Sequence, residues 1–190
     1  MGHHIALPAD DSLPDDIRQR LATFPPLNVF RMLANAPASF DSFLDLATSI
    51  LAQSEFDARK REIAVLRVAH VTRAEYEWSQ HVVVARMTGV TDEEIAHIAF
   101  DGAVTTLGEE GNLLCRVADE ISRDVRLSDE ALGQILACYG NRGAMELILC
   151  VSYFNMVSRI LESTRVSLEE NGILENDTGA LTEQFRDAGK

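Results

Sequence analysis

A glutamate and a histidine four residues apart, Glu77 and His81, are the residues of this chain whose types and spacing most directly suggest chemistry. If residues 72–89 form a helix, side chains at i and i+4 lie on one face, so the carboxylate and the imidazole meet. Such a pair can move protons, because burial and mutual charge tune the pKa of either group towards neutral pH. The spacing therefore indicates a general acid/base site.

A second carboxylate, Glu62, comes from the preceding segment of the chain. Residues 57–71 have apolar positions at helical spacing and predict another helix. Almost no linker separates this helix from the next one, so the two must turn sharply and pack as neighbours. We expect Glu62, Glu77 and His81 to line one pocket with an apolar rim.

Capping signals predict where the helices around this pocket begin and end. Thr72 and Glu75 form a capping box, which places the start of the histidine helix at Thr72, and Gly89 predicts its end. Thr91 and Glu94 repeat the box and predict a further short helix.

The rest of the chain has the pattern of helical packing, with no strand alternation of any length. The other predicted amphipathic helices are 39–56, 113–125 and 128–140. We expect Ser39 and Ser128 as caps and Gly140 as the end of the last of these. Residues 144–157 are apolar nearly all round, which is typical of a central helix or of a buried seam in an oligomer. The helix of residues 57–71 carries three cations at a start that we expect to be exposed, Arg59, Lys60 and Arg61.

Composition excludes several classes of partner and compartment. A formal net charge of −13 argues against nucleic acid, which is bound mainly through Lys and Arg. The three cysteines have neither C-x-x-C nor metal-ligand spacing, so we expect free thiols in a reduced compartment. The start of the chain lacks the apolar segment of a signal peptide, and no run approaches the about eighteen uncharged residues of a spanning helix. We therefore expect a cytoplasmic protein with no membrane partner.

The length of 190 residues suits one helical domain, residues 1–190. Residues 1–27 hold four of the five prolines and predict a surface arm, with one or two helical turns from Asp15. Residues 28–165 form the predicted core, and residues 166–190 form a polar tail.

Residues 62–89 resemble the carboxymuconolactone decarboxylase and alkylhydroperoxidase D-like superfamily of small all-helical oligomers. The peroxidase branch has a glutamate, eleven residues, a cysteine, two residues, a second cysteine, three residues and a histidine. Glu62 and His81 stand at the ends of that pattern, and Ala74 and Glu77 occupy the two cysteine positions. The Y-E-W-x-x-H run that ends at His81 is similar to the cysteine-free branch.

The resemblance implies an all-α fold, a compact helical bundle that assembles as a dimer, trimer or hexamer. It also implies a small carboxylated or carbonyl substrate and no cofactor. In the decarboxylase branch, an acid protonates the dienolate carbon left after loss of carbon dioxide. By this resemblance, His81 is the acid, Glu77 orients it, and Glu62 is the second carboxylate. We expect substrate contacts from three further residues, namely Arg67, as a bidentate carboxylate clamp, Tyr76 and Trp78.

Three alternatives remain open at this stage. The chain is a peroxidase-related protein that has lost its redox cysteines, a metal protein with ligands Glu62, Glu77 and His81, or an oligomeric scaffold without chemistry. Thiol chemistry is disfavoured because Ala74 cannot act as a nucleophile. The existing cysteines, at positions 115, 138 and 150, have the spacing of buried structural residues.

Overall fold

A computed structural model describes residues 3–169, and every regular element in that range is helical. The expected all-α class is therefore confirmed. The helices are α1 (Asp15–Leu21), α2 (Asn28–Leu33), α3 (Pro37–Thr48), α4 (Ala58–Thr72), α5 (Glu75–Met87), α6 (Asp92–Ile98), α7 (Gly108–Asp124) and α8 (Asp129–Thr164). A 3-10 turn spans Asp10–Ser12, and a π-helical turn, Ser49–Gln53, extends α3.

The described residues divide into two compact units. The first contains residues 3–54 and 161–169, and the second contains residues 55–160. In the first unit, α1 packs against α3, and Nη2 of Arg20 lies 2.5 Å from Oδ1 of Asp45. The proline-rich N-terminal stretch thus contributes a packed helix. Of the predicted tail, residues 170–190 lie outside the described residues.

Helix α4 is the centre of the second unit, where it packs against α5, α6 and α7. Its residues 61–69 are buried without interruption, so no face of this stretch meets solvent. Asp57 caps the helix by accepting a hydrogen bond from the backbone N–H of Lys60 at 2.9 Å, close to the predicted start. The expectation of an exposed Arg61 is wrong, because this side chain is buried among the charged groups of the site.

The link between α4 and α5 has only two residues, but the predicted capping box at Thr72 is absent. The hydroxyl of Thr72 donates instead to the carbonyl of Val68 at 2.8 Å, so Thr72 is the last residue of α4. Arg73 then adopts a left-handed conformation with φ 57°, and the N–H of Ala74 donates to the carbonyl of Ala69 at 2.9 Å. Helix α5 begins at Glu75 without a side-chain cap.

Other capping predictions have mixed outcomes. The box formed by Thr91 and Glu94 is present at the start of α6. Ser128 also acts as predicted, accepting from the N–H of Ala131 at 3.2 Å. Ser39 is not a cap, because α3 begins earlier at Pro37, a residue pre-organised for the first turn.

Helix α8 has a kink at Gly140, where the sequence predicts a helix end. Gly140 has φ 63° and ψ −176°, a conformation that is essentially restricted to glycine, and the helix resumes after it. Among the described helices, only α8 is long and apolar enough to cross a membrane. The sequence predicted that no segment approaches a membrane-spanning helix. Some 56% of the most apolar window of α8 is buried inside the protein, as expected for a core helix.

Arg67 anchors α4 to the elements around it. Its guanidinium has no exposed surface and forms two hydrogen bonds to the carboxylate of Asp119 on α7, at 2.7 and 2.9 Å. Three backbone carbonyls at the end of α6 and just beyond it accept its remaining N–H groups, those of Ile98, Phe100 and Gly102. All five donors are used. The expectation that Arg67 clamps a substrate carboxylate is therefore corrected, because it has no donor left.

Replacing Arg67 tests this anchoring role. We expect Arg67→Met to lower the free energy of unfolding by about 3–5 kcal/mol, because Asp119 and three carbonyls lose their partner in a buried site. Urea unfolding followed by circular dichroism measures the change. Arg116→Met is a matched control on α7, since this arginine is 36% exposed and should cost below about 1 kcal/mol. Equal losses in the two variants would contradict the anchoring role.

Candidate active site

The structure brings Glu62, Glu77 and His81 together. Oε2 of Glu62 lies 2.7 Å from Nδ1 of His81, and Oε1 of Glu77 lies 3.4 Å from Nε2 of the same ring. The exposed fractions of the three side chains are 0% for Glu62, 5% for Glu77 and 12% for His81. One imidazole therefore lies between two carboxylates, in a site that is nearly closed to water.

Local geometry explains why these groups meet. Glu77 and His81 are one turn apart on α5, so their side chains share a face. Glu62 projects from α4, which packs directly against α5 because the link between the two helices is so short. The site is thus built across one helix–helix contact within a single unit.

The charges in the site favour an imidazolium paired with a carboxylate. Burial alone lowers the pKa of His81, but the charge and hydrogen bond of Glu62, with a smaller contribution from Glu77, raise it to about 10. Burial raises the pKa of Glu62, but His81 and the neighbouring Arg61 outweigh this effect and hold it below its usual value. At neutral pH, His81 is protonated and Glu62 is ionised.

Helix α8 supplies an aromatic wall that the sequence did not identify as part of the site. The ring of Phe154 lies edge-on to the ring of His81, with centroids 4.8 Å apart and planes at 82°. Tyr153 packs against Phe154 in the same manner, at 5.2 Å. Residues 144–157 carry only a strong apolar pattern, which is equally typical of a core helix. No local signal marks Phe154 as a neighbour of the histidine.

Cys150 precedes Phe154 by one turn on α8 and lies near the carboxylates. Burial raises the pKa of its thiol, and the charges of Glu62 and Glu77 act in the same direction, against a smaller opposing effect of Arg61. The thiol is therefore held in its protonated, poorly nucleophilic form. Cys150 and Cys115 are buried as expected, whereas Cys138 is exposed, contrary to expectation.

The two aromatic residues expected to contact substrate flank Glu77 on α5. Tyr76 is buried, one residue before Glu77 and thus about 100° away around α5. Trp78 is partly buried, and its ring packs against that of His70 with centroids 6.2 Å apart. A contact of Tyr76 or Trp78 with the substrate stays a prediction.

The geometry of the three residues does not favour a shared metal. The carboxylates of Glu62 and Glu77 approach opposite nitrogens of His81, so no single point receives a lone pair from all three side chains. Within residues 3–169, no group of three or more His, Cys, Asp or Glu side chains is arranged to hold a metal ion.

Two solved structures have the same fold. An uncharacterized peroxidase-related protein from Ralstonia eutropha, with an alkylhydroperoxidase core, superposes with a TM-score of 0.77 and 16% identity, over 90% of this chain and 94% of its own. An uncharacterized peroxidase-related protein from a Silicibacter species gives a TM-score of 0.74 and 16% identity, over 96% and 95% of the two chains. At this identity, the likeness establishes the fold alone.

Sequence comparison identifies the family. Residues 37–120 match the Carboxymuconolactone decarboxylase family. The "Uncharacterized protein 4 in cox locus" of Paracoccus denitrificans is 32% identical over 84 residues, which are 43% of this chain and 76% of that protein. The matched region contains α4, α5 and all three site residues. On this sequence match and the shared helical fold, the chain belongs to the carboxymuconolactone decarboxylase family.

Proposed function

We propose that this chain is an acid/base enzyme, a decarboxylase, isomerase or lactone-acting enzyme, whose substrate is a small carboxylated or carbonyl compound. The observation that carries the proposal is the nearly buried His81, protonated and held between Glu62 and Glu77. A Glu–His pair that only stabilised the surface of a helix would not need to be buried in this way. Family membership supports the class of chemistry.

The two carboxylates have different roles in this proposal. Glu62 forms the shorter contact, through Nδ1 of His81, so it fixes the orientation of the ring and stabilises its positive charge. The family resemblance had instead implied this orienting role for Glu77. The longer contact of Glu77, at Nε2, leaves that nitrogen as the one whose proton is transferred. Glu77 then returns a proton from solvent to Nε2.

The proposed step balances without a redox partner. In a decarboxylation, the carbon–carboxylate bond breaks, carbon dioxide leaves, and the electron pair remains on the substrate as an enolate. Nε2–H of His81 then donates its proton to the enolate carbon, and the imidazole is reprotonated through Glu77. In an isomerisation, the carboxylate of Glu77 accepts a proton from one substrate carbon, and Nε2–H of His81 donates a proton to another carbon of the resulting enolate. Positioned proton transfer of this kind contributes typically about 10²–10⁴-fold to a rate.

The peroxidase alternative has less support. The positions of the two redox cysteines are occupied by Ala74 and Glu77, neither of which can be oxidised to a disulfide. Cys150 is close to the site, but its thiol stays protonated. A dithiol cycle would also need a second sulfur beside it, but Cys115 lies on α7, and Cys138 lies on α8 on the other side of the kink at Gly140.

Turnover by the wild type and by a His81→Gln variant tests the proposal. We expect activity on at least one member of a panel of unsaturated carboxylated lactones and β-keto acids, assayed by carbon dioxide release and ultraviolet absorbance. His81→Gln should lower kcat by about 10²-fold or more, since glutamine cannot donate the proton as an acid. In D₂O, the product carbon should acquire deuterium.

His97→Gln is the matched control, because this histidine lies on α6 outside the site and should leave kcat unchanged. A wild type that turns over no member of the panel would favour a scaffold. Dithiol-dependent peroxide consumption that is abolished by Cys150→Ala would favour the peroxidase alternative.

The charge state of His81 gives a prediction for pH dependence. The folded-state pKa, about 10, exceeds the ordinary 6.5, so the stabilisation is fully present below about pH 6.5 and is lost as the pH rises through about 10. The free energy of unfolding of the wild type should therefore fall more steeply between about pH 7 and pH 10 than that of His81→Gln. Urea titrations at several pH values measure both slopes. Parallel pH profiles would show that His81 is not held as an imidazolium.

We also propose that the chain forms a cytoplasmic homo-oligomer. Free thiols at all three cysteines fit a reduced compartment. Large apolar side chains are exposed along one face of α8, at spacings of four and seven residues, where Met145 is 58%, Leu149 38% and Met156 39% exposed. An exposed apolar stripe of this kind is typical of a subunit interface.

Light scattering after size-exclusion chromatography tests the assembly. We expect a mass that is a multiple of the 21.0 kDa chain, and a smaller assembly for Leu149→Glu, which places a charge in the stripe. Leu132→Glu is the control, since this leucine is similarly exposed, at 37%, but precedes the kink of α8. A wild-type monomer at micromolar concentration would contradict the proposal.

A further inference from the structure

We infer that Arg61 binds a substrate carboxylate, one that the substrate retains during the reaction. The inference rests on the proposed function, because it concerns the same site. It transfers to Arg61 the clamping role that the sequence suggested for Arg67.

Arg61 is a buried guanidinium with unused hydrogen-bond donors. The residue is 7% exposed, and its Nε donates to Oε1 of Glu62 at 3.2 Å. Within residues 3–169 this is its only hydrogen bond or ion pair. A guanidinium carries five N–H donors, so the four on its terminal nitrogens have no protein acceptor. Neither terminal nitrogen is among the fully enclosed, unpartnered side-chain atoms of the described residues, so the fork keeps a small accessible surface through which a ligand can reach it.

The contrast with Arg67 shows what a purely structural arginine looks like in this protein. Both arginines lie on α4 within the same buried stretch. Arg67 uses every donor on protein oxygens, whereas Arg61 uses one. If Arg61 served only to neutralise Glu62, the single contact through its Nε would be enough. That role does not explain why the two terminal nitrogens of the guanidinium have no protein acceptor.

The position of Arg61 connects it to the proton donor. The two oxygens of Glu62 are divided between two cations, Oε1 to Arg61 and Oε2 to His81. An anion bound to the fork would therefore lie close to the imidazolium of His81, because one carboxylate holds both cations.

The shape and charge of the fork specify the ligand class. A planar guanidinium matches a carboxylate through two parallel N–H···O bonds. A carboxylate that departs as carbon dioxide must lose its negative charge, and a guanidinium would oppose this loss by stabilising the charge. The carboxylate on Arg61 is therefore a retained one, and the substrate is a carbonyl compound that carries an additional carboxylate.

Binding of levulinate, a small keto acid, and of its neutral methyl ester tests this inference directly. The reporter is the ring of His81 in protein labelled with ¹³C and ¹⁵N at histidine, observed by NMR. We expect levulinate to shift the His81 signals of the wild type, and Arg61→Gln to weaken its binding roughly 10-fold or more. The ester should bind weakly and equally to both proteins. Arg59→Gln, which removes a partly exposed cation from the same helix, should bind levulinate like the wild type.

The ratio of acid to ester affinity distinguishes carboxylate binding from a structural role, because a structural role would not change it. An unchanged ratio in Arg61→Gln, or a wild type that does not bind levulinate at tens of millimolar, would overturn the inference. Should Arg61→Gln not fold, Arg61→Lys keeps the charge without the fork and should still lower the ratio. Arg61-dependent binding without turnover of any panel compound would leave the inference intact and reject the proposed function. Turnover of a panel compound by the wild type, together with an unchanged acid-to-ester ratio in Arg61→Gln, would support the proposed function and overturn the inference.

Discussion

The constraint on which this structure depends is the burial of charge in α4. Its residues 61–69 have no solvent-exposed face, and three of them, Arg61, Glu62 and Arg67, are ionisable. A buried charge without a partner costs several kcal/mol, so each of these groups needs an opposite charge from another side chain. Glu62 is matched by His81 and Arg61, and Arg67 is matched by Asp119. The helices that surround α4 must supply these partners, which limits how they can be arranged.

The charged groups around Glu62 and those around Arg67 have different roles on α4. Glu62 and Arg67 are five residues apart, about 140° around the helix, so they face different neighbours. Arg67 holds the end of α6 and helix α7 in place through bonds that leave no donor free. The opposite cluster keeps donors unused and includes the proposed acid/base pair. Anchoring on one side of α4 thus positions Glu62 on the other side, although Arg67 makes no contact with it.

Local signals in the sequence located much of this fold, and tertiary contacts decided the rest. Thr91 and Ser128 were recognisable as caps because capping involves only the adjacent turn. Thr72 fits the same pattern, yet its hydroxyl bonds back to the preceding turn, since a left-handed residue already ends α4. Arg61 was expected at the surface because nothing local distinguishes a buried arginine from a solvated one. Phe154 lies too far along the chain for any local pattern to connect it to the site.

The two-residue link between α4 and α5 has a consequence for how this protein can evolve. Each residue inserted or deleted within α4 after Glu62, or within α5 before His81, rotates that side chain by about 100° relative to the link, which would separate the buried carboxylate from its imidazole. The two-residue link, in which Arg73 has a left-handed conformation, is too short to compensate for such a rotation. A substitution at position 74 or 77, in contrast, keeps the number of residues between Glu62 and His81 and so leaves the rotation of both side chains unchanged. Changes in chemistry on this frame should therefore arise through substitution, while the length of the segment stays fixed.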